Sequence, residues 1–293
     1  MQKRYHTLEN IIFDAIVYLV MAFVLICCLV PFIYMLAVSF SGTKPLINGE
    51  VFLWPKDFTL DSYKQIFTYP NFFKAYGNTF LYAVGGTAIA LIMTSLMAYP
   101  LSKTFLWGNK FFTKMVVVTM FFSGGMVPDY LLIRDLDLIN SIWSLILPGA
   151  ISAYNITIMR NYLMSLPDSL EESAYIDGAN DIVILYKIIV PLSLPILATI
   201  ALWTAVGHWN AWFDAMIYIQ DTDKQVLAIT LRRIVLQGSN SVVTMSGEEM
   251  STQTTSDTIK AATIMVATVP ILCVYPFIQK YFEKGVMIGA VKG

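Results

Sequence analysis

The residues best placed to do chemistry lie between Ser165 and Pro191. Acids at Asp168, Glu171, Glu172, Asp177 and Asp181 alternate there with the small residues Ser173, Ala174 and Gly178. The set is not a catalyst. The chain has two histidines, at positions 6 and 208, which excludes most metal sites. It has neither His-Glu-x-x-His nor Gly-x-Ser-x-Gly, and no glycine-rich phosphate loop. Gly108-Asn109-Lys110 lacks the preceding glycine such a loop needs. The chemistry open to the segment is docking. Asp168 or Ser169 is placed to cap a short helix whose first turn holds Glu171 and Glu172, where the helix dipole favours acids. Gly178 suits a left-handed stop. Asp181 starts a second short helix, and Pro191 and Pro195 limit how it continues. Small side chains at Ser173 and Ala174 leave room for another surface.

A second constellation combines aromatic and hydrogen-bonding side chains. Trp203, Gly207, Asn210 and Asp214 recur at i, i+4, i+7 and i+11, which places them on one helix face. A stacking ring, a gap and hydrogen-bonding groups share that face. Tyr154 and Asn155 lie in an apolar run, where polar groups face protein or a water-filled path. Trp209 and Trp212 fit an interfacial aromatic belt equally well. His208 reads as a packed residue rather than a ligand.

The elements that must hold these residues are membrane helices. The 293-residue chain is 57% hydrophobic and 13% charged, with a mean hydropathy of +0.64. A soluble domain carries roughly 25% charged residues. A net charge of −1 carries no nucleic-acid footprint. Six apolar runs reach about the 20 residues that a span needs: Ile11–Phe40, Ala75–Leu101, Phe111–Ile133, Ile142–Met164, Ile196–Ile219 and Ile259–Phe282. The first is too long for a cleaved signal and reads as a retained span. Lys and Arg divide almost evenly between the two sides. The outer loops Ser41–Lys74 and Gln220–Lys260 are long, so the density of positive charge favours both termini inside. Gln237–Thr258 reads as a flexible external loop, and Cys27, Cys28 and Cys273 as packed, reduced thiols. No linker or repeat divides the chain, so residues 1–293 are expected to form a single membrane domain. The expected fold is all-α, with about six spans and the acidic helix loop between spans four and five on the cytoplasmic side.

Glu172-Ser173-Ala174, Gly178 and Ile188-Ile189-Val190-Pro191 resemble the EAA loop of permease subunits in ATP-binding-cassette (ABC) importers, with Ser173 and Val190 as small departures. Leu166–Glu172, Ile176–Ala179, Trp209-Asn210 and the ending Gly285–Gly293 are similar to the carbohydrate branch, that of the second permease of maltose-type importers. The tail and Lys260–Pro276 look most like permeases for complex polysaccharides such as alginate. The resemblance implies transport of an oligo- or polysaccharide across the bacterial cytoplasmic membrane by alternating access. It implies no catalysis in this chain: a partner ATPase dimer would bind the ATP and magnesium. It also implies a homologous second permease and an extracytoplasmic solute-binding protein, and a C-terminal tail made flexible by Gly285, Gly289 and Gly293. Glu171, Glu172, Ser173, Ala174, Asp177, Gly178 and Pro191 would form the ATPase-coupling loop. Tyr154, Asn155, Trp203, Asn210 and Asp214 would line the sugar path. An ion-coupled secondary transporter is the alternative. It would need acids within the membrane, and the acids in the spans, Asp14, Asp129 and Asp214, all lie near their ends.

Overall fold

The computed structural model describes the backbone of residues 8–244 and 256–290, and side chains over 10–236 and 256–276. The described residues are helical in fifteen α segments. In chain order these are α1 Leu8–Ser39, α2 Thr43–Ile47, α3 Asp61–Phe67, α4 Phe72–Ser102, α5 Asn109–Val118, α6 Met126–Asp135, α7 Trp143–Ile146 and α8 Ala153–Leu163. After these come α9 Ser169–Ile176, α10 Asp181–Ile184, α11 Val190–Leu192, α12 Leu194–Asn210, α13 Phe213–Tyr218, α14 Leu227–Thr244 and α15 Ser256–Ala290.

Among the described residues, three stretches are long and apolar enough to cross a bilayer: Asn10–Ser39, Phe72–Ser102 and Ser256–Pro276. A fourth is a broken pair, Asp181–Leu192 with Leu194–Asn210, bent by 80°. The sequence predicts about six spans, and three of those runs are interrupted at identifiable residues. The run 111–133 stops at Val118 and resumes at Met126 after Gly124-Gly125, where Gly125 has φ +85°. The run 142–164 is split between α7 and α8 around Pro148-Gly149. The run 196–219 ends its first helix at Asn210, because Ala211 turns extended at ψ 110°. Hydropathy reports apolar length alone, and these breaks cost little hydropathy.

The chain divides into two compact units, Met1–Pro70 with Leu231–Val269, and Asn71–Thr230 with Pro270–Gly293. In the first, the apolar window of α1 buries nothing within the chain, and Cys27 and Cys28 are exposed along it. The thiols expected to be packed therefore face outward, as does Cys273 in α15. The segment after α1 is well tied down. Phe40 stacks on Tyr63 at 4.9 Å and on Phe58 at 5.4 Å, and the Ser39 and Tyr63 hydroxyls are hydrogen-bonded at 2.8 Å. The Ser41 hydroxyl donates to Ala37 O and accepts from the Lys56 N–H. Beside it, Thr59 hydrogen-bonds Asp61 and holds that carboxyl below the usual range, with Lys64 adding to the effect.

In the second unit α4 is the central post, with α8 and α12 packed along it. Asn71, in the left-handed region at φ 61°, opens the helix; Phe72 is buried while Phe73 stays exposed. Two cores lie along the post. One gathers Ala98, Tyr99 and Leu101 of α4 with Met159, Leu163, Ile184, Ile189 and Ile200. The other gathers Tyr82 with Ile133, Leu145, Ala215 and Tyr218. The expected loop 237–258 is helical to Thr244, and residues 245–255 lie outside the described residues. The C-terminal stretch expected to be flexible is helical through Ala290, past Gly285 and Gly289; Lys292 and Gly293 lie outside the described residues.

Candidate functional site

The acidic loop forms the short helix pair read from its sequence. α9 starts at Ser169, with Glu171 and Glu172 in its first turn. Asp168 does not cap it through its side chain. Its carbonyl instead accepts the Glu171 and Glu172 N–H groups at 3.0 and 3.1 Å. At the other end Gly178 takes φ +81°. Its N–H donates to Tyr175 O at 3.0 Å, and the Ala179 N–H donates to Ala174 O at 2.9 Å. That pair of bonds is a Schellman stop. α10 starts at Asp181, as its sequence suggests, and Asn180 caps it, its Oδ1 accepting the Val183 N–H at 2.9 Å. The Tyr175 hydroxyl donates to Asp181, and that bond keeps the phenol protonated above its ordinary range.

The faces of α9 divide sharply. Glu172, Ser173, Ile176 and Asp177 are exposed, whereas Ala174 is buried in the core with the end of α4 and with α8. Ala174 was expected to make room for a partner's surface; its small side chain instead seats α9 on its own chain. Glu171 is also turned inward, its carboxylate accepting from Lys103 at the end of α4. Ser173 spends its hydroxyl on Ser169 O. Ile176 is 86% exposed and lies one turn from Glu172 on the same face. Sequence reading passed over it, although an isoleucine four residues after an exposed acid is a usable signal.

Beyond α10 the helix widens. The Val190 N–H reaches five residues back to Leu185 O in a π turn over Leu185–Ile189. Pro191 is exposed and follows at once; it has no N–H to continue the ordinary ladder. The 80° bend falls at Ser193, which is fully buried. The Tyr162 hydroxyl of α8 donates to Leu192 O at 3.0 Å and satisfies a carbonyl freed by the bend.

On α12, Trp203, Gly207 and Asn210 share an exposed face. The Tyr154 ring lies 6.1 Å from that of Trp203, and Asn155 is the next residue, its N–H held by the Ser152 cap. Asp214 does not join them. The break at Ala211-Trp212 puts it on α13, so the i+11 relation fails. Trp209 packs edge-on against Tyr76 at 5.6 Å and is a structural ring. His208 is buried between two glycines, beside Tyr82 at 4.5 Å. A Cβ on Gly86 would stand 2.6 Å from its Nε2, and one on Gly149 3.3 Å from its Cε1.

A membrane-embedded helical body that presents a rigid, acid-faced helix pair beyond a bent span has the form of an ABC-importer permease. No family model matches the chain. It is 42% identical over 286 residues to the polygalacturonan/rhamnogalacturonan transport system permease protein YtcP of Bacillus subtilis, covering 98% of this chain and 100% of that one. Protein LplC of the same organism is 41% identical, covering 98% and 99% of the two chains. Among solved structures, a chain of a bacterial ABC transporter involved in import of the acidic polysaccharide alginate superposes with a TM-score of 0.85 at 32% identity, over 96% of this chain and 100% of that chain. The chain therefore belongs to the sugar permeases of ABC transporters. It is a permease of an ABC importer for sugars or polysaccharides, a transport subunit rather than an enzyme, and the ion-coupled alternative falls away.

Proposed function

We propose that this permease crosses the cytoplasmic membrane six times with both termini inside, as a single permease domain, and pairs with a homologous second permease. A separate ATPase dimer binds the ATP and magnesium and docks on α9. The cargo is an oligo- or polysaccharide, with galacturonan- and alginate-type chains the first candidates, delivered by an extracytoplasmic solute-binding protein. Each ATPase cycle would move α9 and α10 and swing the bent α11–α12 span as a packed body, exposing the path to one side and then the other. Tyr154, Asn155, Trp203 and Asn210 would line that path, the rings stacking on sugar faces and the amides bonding hydroxyls.

The observation that carries the reading is the outward face of α9. Glu172 is exposed there with Ile176, while Ala174 anchors the other side of the same helix. An acid and an apolar side chain on a rigid short helix suit a basic-rimmed cleft. A charge-assisted contact of that kind contributes about 1.5–3 kcal/mol. Glu172→Lys is expected to leave the second permease bound and to release the ATPase or uncouple it. The check is co-purification together with uptake of galacturonate and alginate oligomers into vesicles. Normal ATPase retention and normal uptake in this variant would remove the reading.

A further inference from the structure

Glu171 and Glu172 are neighbours on α9, yet only Glu172 faces outward. The Glu171 side chain is 15% exposed and that of Lys103 16%, and their charged groups meet directly. The Lys103 ammonium also lies 4.7 Å over the Tyr99 ring, within cation–π range. Exposed ion pairs contribute little and are screened by salt; a pair sheltered to this degree is screened much less. Lys103 is no loose side chain at a helix end. It is the C-cap of α4, and its carbonyl accepts from Asn109 Nδ2 at 2.7 Å. Two residues earlier, Leu101 O accepts from Asn109 Nδ2 at 2.9 Å and from Arg160 Nε of α8 at 2.7 Å. The end of α4 is thus a knot joining α4, α5 and α8, and Glu171 ties α9 to it. Ala174, one turn further along α9, is buried in the same core. Two fixed points on one short helix prevent it from rolling.

We infer that the Lys103–Glu171 pair is the positioning link through which α9 and the end of α4 move as one body, so that a displacement imposed at the Glu172 face reaches α4 and the α12 helix packed along it. This rests on the reading of α9 as the ATPase-docking helix. It gives the two glutamates separate tasks: Glu172 receives the push and Glu171 transmits it. Apolar contact at Ala174 resists compression steeply and withdrawal only weakly, and the ion pair strengthens the pulling half of the cycle.

The test uses the intact importer in vesicles, with galacturonate and alginate oligomers as cargo. Lys103→Glu and Glu171→Lys alone should keep the ATPase bound and hydrolysing, while uptake falls about tenfold or more. The double exchange Lys103→Glu/Glu171→Lys should recover most of that loss, and Lys103→Arg should stay near wild type. A second arm changes Cys27, Cys28 and Cys273 to Ser and introduces Lys103→Cys with Glu171→Cys. Uptake should be low with the thiols free and should rise when a short bis-thiol reagent bridges them. Bridging that blocks or fails to raise uptake overturns the proposal. So do single variants that transport normally, or a double exchange no better than its parents. Loss of the ATPase from the single variants would also refute it, because it would make Glu171 part of the docking face. Failure of Glu172→Lys to affect docking, by contrast, strikes only the earlier reading.

Discussion

At the scale of single residues, Gly178 sets the direction of everything after α9. Its φ of +81° is the left-handed region, and an added Cβ would meet nothing within 4 Å. Any loss on substitution is therefore backbone strain rather than collision, about 1 kcal/mol for a side chain in that region. Asparagine tolerates the left-handed region, while β-branched valine resists it most. Uptake at equal permease levels should fall in the order Gly, Asn, Ala, Val at position 178, with Asn within a few-fold of wild type. Equal losses for Gly178→Asn and Gly178→Val would mean that the stop geometry is not what matters. The glycine was legible because an acid-led helix ending in Asp-Gly has few other readings. The division of labour between Glu171 and Glu172 was not. First-turn acids look alike in a sequence, and which one turns inward depends on Lys103, 68 positions away.

At the scale of elements, apolar runs of the right length were readable and their interruptions were not. Gly124-Gly125, Pro148-Gly149 and Ala211-Trp212 lie inside runs that stay largely apolar through the break, so the hydropathy falls little. The i, i+4, i+7 face of Trp203, Gly207 and Asn210 survived because it fits within one helix, and Asp214 was lost because it lay past the break. His208 shows the same limit from the other side. A buried histidine gripped by Gly86 and Gly149 depends on three segments meeting, and local sequence contains none of that. The contact makes a prediction about how α4 packs on α12. Gly86→Ala puts a methyl 2.6 Å from Nε2, so the helices must part or the imidazole must move. Overpacking of this kind costs about 1–3 kcal/mol. Thermal unfolding of the purified permease should come several degrees lower in Gly86→Ala, with part of the loss restored by Gly86→Ala/His208→Ala. A melting point unchanged by Gly86→Ala would show that the slot is looser than its geometry.

At the scale of the whole molecule, α4 orders the two polar loop clusters that flank it. Near its start, Asn78 Nδ2 donates to Asp223 O and Gln225 O, and Lys74 pairs with Asp223 at 3.2 Å. The adjoining loop is fastened by Asn140, whose Oδ1 accepts the Gln220 and Asp221 N–H groups, with Lys224 donating to Asn140 O. At its end, Lys103 holds α9. A continuous helix rising about 1.5 Å per residue separates Asn78 from Lys103 by about 37 Å. The hydrocarbon layer is about 30 Å thick, so a crossing by α4 would bring the two clusters out on opposite sides of it. The count of basic residues divides almost evenly, and only their density in the short loops favours both termini inside. On the proposed docking role, α9 meets an ATPase in the cytoplasm, which would place the Asn140–Lys224 cluster outside. Gln220→Cys in a chain freed of its own cysteines should therefore react with a membrane-impermeant maleimide on intact cells. Asn180→Cys should react only after the membrane is opened. Labelling of both from outside would mean that α4 does not cross. The reverse pattern would leave the crossing intact but invert the molecule, and would place α9 where no cytoplasmic ATPase could reach it.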